Sequence, residues 1–277
     1  MKVLESKFME GFIRCATDGS NYGWHERNGG NLSYRIKDEE IAAIRDELNL
    51  DAKWVEIGTI VPEVANEFFL VTGSGKFFRN IEQDPAANLA IIELDKAGKK
   101  YRIVWGMIHG GAPTSELPSH LMNHEVKKIA NDGRHRVIYH SHATNVIALT
   151  FVLPLDSVVF TRELWEMATE CPVIFPQGVG VVSWMIPGGR DIAVATSELM
   201  KEYDVAIWAH HGIFCSGENF DLTFGLMHTV EKAAELLVKV IAMGGKKQAI
   251  KPEAFRSLAR DFNLTIDEKF LYKKTFE

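Results

Sequence analysis

The sequence has no long hydrophobic run, no excess of positive charge and only three cysteines. No apolar stretch approaches the roughly 20 residues of a membrane-spanning helix, and the N-terminus lacks the apolar core of a secretion signal. The net charge of −6, from 31 basic and 37 acidic residues, disfavours nucleic acid as a partner. We therefore expect a cytoplasmic protein with no membrane partner and no nucleic-acid partner.

The cysteines at positions 15, 171 and 215 are scattered and form no paired framework, which is typical of a reducing compartment. Cys171 follows Glu170 and could be a nucleophile, but a small buried apolar side chain is the commoner role. The chain of 277 residues, 46% of them hydrophobic, has the composition of a globular protein with a real core. No linker rich in proline or serine divides it. We predict one domain over residues 1–277, in which residues 51–67 have no clear periodicity and lie on the surface.

The segment of residues 136–142 contains the apolar run Val137-Ile138-Tyr139 and ends in two histidines. His140 and His142 are separated by one residue, and in a strand such side chains point to the same face. Their imidazoles could bind one divalent metal, although a polar strand end without any ligand explains the pair alone equally well. A catalytic zinc ion needs three protein ligands and one open position. His211 follows a second apolar run, at residues 204–209, and is the candidate third ligand.

Two glycine-rich loops are candidate anion sites. Residues 28–31 read Asn-Gly-Gly-Asn, and residues 72–75 read Thr-Gly-Ser-Gly before Lys76. Such loops can turn backbone N–H groups toward a phosphate, but each is also an ordinary turn sequence. The second loop departs from the nucleotide pattern G-x-x-x-x-G-K-[ST], because Leu70 and Phe77 occupy its first and last positions. ATP and GTP are therefore disfavoured, and a monophosphate on a small substrate is left open.

The stretch Thr114-Ser115-Glu116 predicts the start of a helix that runs to about Ile129. A carboxylate in the first turn suits the helix dipole, which is a purely structural explanation for Glu116. The same place lets the carboxylate face an anion-binding cleft. His120 and His124 follow four residues apart, but without the glutamate of the H-E-x-x-H arrangement we expect them to be packing or surface residues.

Together, over residues 11–245, these motifs resemble the class II (zinc) aldolases of sugar 1-phosphates. The resemblance rests on the Asn-Gly-Gly-Asn loop, the Thr-Gly-Ser-Gly turn, the Thr-Ser-Glu helix start, the His-x-His pair and the later His-Gly. It implies a single three-layer α/β/α domain with a largely antiparallel central sheet and a surface insertion at residues 38–66. It also implies one Zn²⁺ per subunit, a phosphorylated ketose as substrate, and a homotetramer with sites near the subunit interfaces.

The resemblance assigns roles to particular residues. The implied zinc ligands are His140, His142 and His211, with His211 preferred to His210 because it precedes glycine. Glu116 matches the catalytic acid/base, and Glu170 resembles a second carboxylate that reaches a neighbouring subunit's site. The implied substrate or phosphate contacts are Asn28, Gly29, Asn31, Ser74, Gly75 and Ser115.

The resemblance leaves alternatives open. Other members with the same zinc cage are a fuculose-phosphate aldolase, a pentulose-phosphate 4-epimerase and a thioribulose-phosphate dehydratase. A covalent mechanism through a lysine Schiff base is a further rival. From another class, a non-catalytic scaffold such as the head region of adducin keeps the fold. Loss of Glu116 or of a histidine ligand would favour a scaffold, and none is lost here.

Overall fold

The computed structural model describes residues 1–272 of the chain. Most of its strands form from β-branched and aromatic runs of the sequence, as such residues favour a pleated, half-buried surface. The strands are β1 Asn31–Arg35, β2 Val55–Glu56, β3 Phe68–Thr72, β4 Leu89–Leu94, β5 Lys100–Gly106, β6 Val137–Ser141, β7 Gly180–Val182, β8 Val205–Trp208 and β9 Gly212–Gly217. The α-helices are α1 Lys7–Asn21, α2 Asp38–Ile44, α3 Pro85–Asn88, α4 Leu117–Ala130, α5 Thr144–Leu149, α6 Ser157–Trp165, α7 Cys171–Ile174, α8 Arg190–Leu199, α9 Phe220–Ala242 and α10 Pro252–Asp261.

All nine strands of the described region belong to one sheet, in the order β2-β5-β4-β3-β1-β6-β9-β8-β7. The pair β7–β8 is parallel and the other neighbours are antiparallel. Helices α1, α5 and α9 pack on one face of the sheet, and α4 and α8 pack on the other. The predicted three-layer α/β/α fold with a largely antiparallel sheet is therefore confirmed.

Strand β1 shows how the two faces of the sheet differ. Leu32 and Tyr34 join the apolar core beneath α1 and α9. The alternate residues Asn31, Ser33 and Arg35 are also buried, and they point to the opposite face, since side chains alternate along a strand. The face under α4 therefore carries buried polar groups, which need partners inside the protein.

Two segments differ from simple readings of the sequence. The apolar residues 173–176 alone predict a strand, but Cys171–Ile174 is a helical turn with Pro172 near its start, where proline suits a helix. Residues 38–66, predicted to be a surface insertion, contribute α2 and the edge strand β2, which pairs with β5. Ile44, Ile57 and Val61 of this segment are buried, so part of it packs into the core.

None of the helices within residues 1–272 is both long and apolar enough to cross a membrane.

Candidate metal centre and active site

The candidate ligands meet because neighbouring antiparallel strands bring opposite ends to the same edge of the sheet. In the register of β1 and β6, Asn31 lies opposite His140, and in that of β6 and β9, Ser141 lies opposite Ile213. The end of β6 therefore lies beside the turn that precedes β9, and this turn carries His211. One potential ligand atom from each of His140, His142 and His211 lies within 4.8 Å of the others. The ring centroids form a nearly equilateral triangle with sides of 4.9, 5.0 and 5.2 Å.

His140 is held so that one of its ring nitrogens is free to bind a metal ion. Its Nδ1–H donates to the Ile213 carbonyl at 3.1 Å, and its ring stacks on Phe214 with 4.2 Å between centroids. Burial, together with His211 and His142, lowers the pKa of His140 well below its usual value, so the ring is neutral. Its Nε2 is buried and has no hydrogen-bond partner. A bare nitrogen lone pair aimed at two other imidazoles is the donor that a bound cation needs.

His142 is oriented by an acidic side chain. Its Nδ1–H donates to Glu26 Oε1 at 2.6 Å, which leaves Nε2 available to bind a metal ion. A hydrogen bond that the ring N–H donates to a carboxylate fixes the ring of a metal-binding histidine and raises its basicity. The loop passes close by, because a Cβ at Gly29 would lie 2.8 Å from the His142 ring.

His210 and His211 have different roles in the turn between β8 and β9. Burial and the neighbouring His142 lower the pKa of His211 to about 4, so this ring is also a neutral donor. His210 has a positive φ of 60°, and its ring packs on Phe151 at 4.2 Å between centroids. Its Nδ1 and its backbone N–H both contact Thr150 Oγ1. His210 therefore anchors the turn, while His211 faces the cluster.

Glu116 lies at the edge of this cluster. It is the residue just before α4, not within the first turn as the sequence suggested, and its backbone N–H donates to Thr114 Oγ1 at 3.2 Å. Its carboxylate Oε2 lies 3.6 Å from His140 Nε2 and accepts a hydrogen bond from Asn31 Nδ2 at 2.9 Å. Burial raises the pKa of Glu116, while the hydrogen bond from Asn31 and the proximity of His142 oppose the rise.

A cavity of about 230 Å³ opens beside the histidines and Glu116. Its wall contains all six predicted substrate or phosphate contacts, namely Asn28, Gly29, Asn31, Ser74, Gly75 and Ser115. In the Thr-Gly-Ser-Gly loop, the Ser74 N–H is not available to a phosphate, because it already donates to the Ala112 carbonyl at 2.8 Å. The Ser74 and Ser115 side chains are exposed to the cavity, so their hydroxyls are the more direct donors.

Glu170 lies elsewhere in its own chain. It precedes α7, its side chain is exposed, and it lines a separate cavity of about 580 Å³ with Tyr22, His228 and Lys232. A role for Glu170 in a neighbouring subunit's site stays a prediction.

Sequence reasoning missed several residues of the site. Glu26 lies next to the Asn-Gly-Gly-Asn loop, and only the fold shows that it reaches His142, 116 residues away. Pro187 and Gly188 also line the cavity, and their Pro-Gly-Gly turn was the one available signal. His25 holds the same loop, since its Nδ1 lies 3.0 Å from the Gly29 carbonyl and its Nε2 lies 2.7 Å from the Tyr139 hydroxyl.

Together, the sheet and the cluster of three imidazoles beside a buried carboxylate define a class of protein. Residues 10–238 match the family described as Class II Aldolase and Adducin N-terminal domain. The chain belongs to this family, and the resemblance found in its motifs is confirmed.

Individual relatives and solved structures allow a finer comparison than the family as a whole. The chain is 50% identical over 263 residues to the rhamnulose-1-phosphate aldolase of Mannheimia succiniciproducens, which covers 95% of this chain and 97% of that protein. It is 48% identical over 263 residues to the enzyme of the same name from an Escherichia coli strain, with 95% and 96% covered. Among solved structures, a sugar-phosphate aldolase from Thermotoga maritima superposes with a TM-score of 0.75 at 25% identity, covering 87% of this chain and 97% of that one. An L-fuculose 1-phosphate aldolase has a TM-score of 0.60 at 19% identity, covering 94% and 98%, and shows the shared fold.

Proposed function

We propose that this protein is a metal-dependent aldolase that reversibly cleaves L-rhamnulose 1-phosphate to dihydroxyacetone phosphate and L-lactaldehyde. The observation that carries the proposal is the Glu116 carboxylate, 3.6 Å from the free Nε2 of His140 in the three-histidine cluster. The names of relatives at 50% and 48% identity over nearly the whole chain support the choice of substrate.

The three imidazoles fit zinc. Neutral nitrogen ligands suit this ion, and a catalytic site with three protein ligands leaves a position for substrate. When bound, Zn²⁺ supplies a Lewis acid that polarises the substrate carbonyl. The chain's part is to hold the ligands: the Ile213 carbonyl fixes the ring of His140, and Glu26 fixes that of His142.

Glu116 is placed to move the proton at the reacting carbon. Cleavage of the C3–C4 bond leaves negative charge on the three-carbon fragment, and a proton must be delivered to that carbon. Burial raises the pKa of Glu116, so the carboxyl group holds a proton nearer to neutral pH than an exposed glutamate does. In the direction of synthesis the carboxylate takes the same proton back.

The cavity wall supplies the contacts for the phosphate. Ser74 and Ser115 offer hydroxyl donors, and Asn28 offers an amide. The start of α4 lies at the same wall, through Ser115 and Glu116, and a helix N-terminus favours an anion. Contacts to this remote group position the reacting carbons.

The second carboxylate comes from another subunit in this proposal. The protein acts as a cytoplasmic homotetramer in which Glu170 approaches the site of a neighbour and handles the proton on the aldehyde oxygen. Its exposure and its distance from the cluster within one chain are what such an arrangement needs.

The test combines a substrate comparison with two perturbations. The purified protein should release L-lactaldehyde from L-rhamnulose 1-phosphate faster than it cleaves L-fuculose 1-phosphate. Glu116→Ala should lower kcat by at least about 100-fold, the usual contribution of a positioned acid/base, whereas Glu198→Ala on the exposed surface should not. Chelation should remove activity, and zinc should restore it. Turnover by Glu116→Ala near that of the wild type, or cleavage that survives complete metal removal, would contradict the proposal.

A further inference from the structure

A chain of buried hydrogen bonds runs from Glu116 into the interior of the protein. Asn31 and Ser33 on β1 face His120 and His124 on α4, and all four side chains are buried. Ser33 Oγ lies 2.6 Å from His120 Nδ1 and 2.8 Å from His124 Nε2. His120 Nε2 contacts Asn31 Oδ1, and Asn31 Nδ2 donates to Glu116 Oε2 at 2.9 Å.

Hydrogen-bonding capacity fixes the direction of this chain. The structure places the Asn31 NH₂ against Glu116 Oε2, which is the orientation that the ionised form of Glu116 requires, since a carboxylate only accepts hydrogen bonds. The Asn31 carbonyl oxygen then accepts from His120, which requires the Nε2–H tautomer. With the proton on Nε2, His120 Nδ1 accepts from the Ser33 hydroxyl, and the Ser33 oxygen accepts from His124 Nε2–H.

The inner end of the chain favours this direction over its reverse. His124 Nδ1 is buried and has no hydrogen-bond partner. In the direction above this nitrogen is a bare lone pair, whereas the reverse would leave a buried N–H without an acceptor, which is rarer in proteins. Arg35 stands near His124 and, after burial, is the next cause that lowers its pKa. This positive charge adds to burial in keeping the His124 ring neutral, as the chain of hydrogen bonds requires.

We propose that His120 is a positioning residue that, supported by Ser33 and His124, locks the Asn31 amide with its NH₂ toward Glu116. His120 lies one helical turn beyond Glu116 on α4, and its ring is neutral because burial lowers its pKa to about 3. The fixed Asn31 amide orients the Glu116 carboxyl group toward the reacting carbon, without any contact between His120 and substrate. The inference rests on the proposed acid/base role of Glu116.

The tautomer is the first measurement, because it does not depend on activity. In metal-free wild-type protein labelled with ¹⁵N-histidine, long-range ¹H–¹⁵N spectra should show both His120 and His124 protonated at Nε2 and bare at Nδ1. A His120 resonance protonated at Nδ1 would overturn the proposal.

The kinetic test uses variants that separate positioning from packing. His120→Leu removes the donor to Asn31 and should lower kcat by at least about ten-fold, as expected for a misaligned hydrogen bond to a charged group, with a smaller change in KM. His120→Gln keeps an N–H donor near the Nε2 position and should recover most of kcat. Ser33→Ala leaves the ring in place, removes the hydroxyl that fixes its tautomer, and should fall between the two.

The control is His135→Leu, because His135 is a partly buried histidine that contacts Ser216 outside this chain of bonds. It should leave kcat per metal-loaded site unchanged. Equal kcat for His120→Leu and wild type would refute the positioning role, and so would an equal loss in His120→Leu and His120→Gln. If Glu116→Ala itself keeps wild-type turnover, the proposed function fails instead, so the two failures are distinguishable.

Discussion

Replacing Glu26 by alanine tests how the fold prepares His142 for a metal. The Glu26 carboxylate accepts the Nδ1–H of His142 at 2.6 Å, and this bond fixes both the tautomer and the ring plane. Without it the ring can rotate, and either nitrogen can carry the proton. We therefore expect Glu26→Ala to weaken zinc binding while leaving the three histidines in the chain.

The structure sets the size of the effect. Loss of the hydrogen-bond partner of a metal-binding histidine typically costs 10- to 100-fold in affinity. The Glu26 side chain is 65% exposed, so water screens its charge and can replace part of the bond. The low end of the range applies, about ten-fold or about 1.4 kcal/mol. Glu26→Gln keeps an acceptor oxygen without the charge and should lose less.

The assay is a titration of metal-free protein with zinc against a chromogenic chelator. Glu198→Ala is the matched control, because Glu198 is exposed and pairs with Lys201 on the surface. The thermal midpoint of metal-free Glu26→Ala should stay near that of the wild type, since exposed substitutions seldom exceed about 0.5 kcal/mol. An unchanged zinc affinity in Glu26→Ala would refute the claim that this carboxylate prepares His142.

Two further predictions concern the frame of the site. Gly212→Ala would place its Cβ against the Ser141 carbonyl and 3.1 Å from the His140 ring, so thermal melting should show a loss of about 1–3 kcal/mol and zinc titration a weaker site. Gly225→Ala in α9, where a Cβ meets nothing within 4 Å, should instead gain about 0.5–1 kcal/mol, and equal effects of the two would refute the packing argument. Burial lowers the pKa of His25 to about 3, so between pH 6.5 and 3 the unfolded chain binds a proton that the folded protein refuses, and stability falls as pH falls. His25→Phe should flatten the pH dependence of the unfolding free energy from urea titrations in this window by up to about 1.4 kcal/mol per pH unit, and an unchanged slope would contradict the burial argument.

The sequence predicted the cluster of three histidines because its signal is local. His140 and His142 follow one apolar run and His211 follows another, so strand periodicity alone brings each of them to the end of a strand. The apolar run 173–176 has no such periodicity, and four residues are too few to distinguish a strand from a helical turn.

The hydrogen-bond partners of the site residues could not be predicted, because they lie far away in the sequence. His120 and His124 show only a helical spacing, and their meaning depends on Ser33, which lies 87 and 91 residues earlier and alternates with Leu32 and Tyr34 across the sheet. The contact of Glu26 with His142 depends in the same way on the path of a loop. Such pairings follow from the order of the strands, which local patterns do not encode.

The strand order also means that the three-histidine cluster can form only after distant parts of the chain have paired. His140 Nδ1 meets the Ile213 carbonyl across 73 residues of chain, and such distant pairings carry a large loop-closure entropy and tend to form slowly. The three histidines are therefore held together only once these distant strands have paired. A metal ion that binds the three histidines only in the folded protein would stabilise the fold by mass action, by about 2.7 kcal/mol when the free ion stands at 100 times its dissociation constant. Removal of that metal would then lower the stability of the fold as well as the activity.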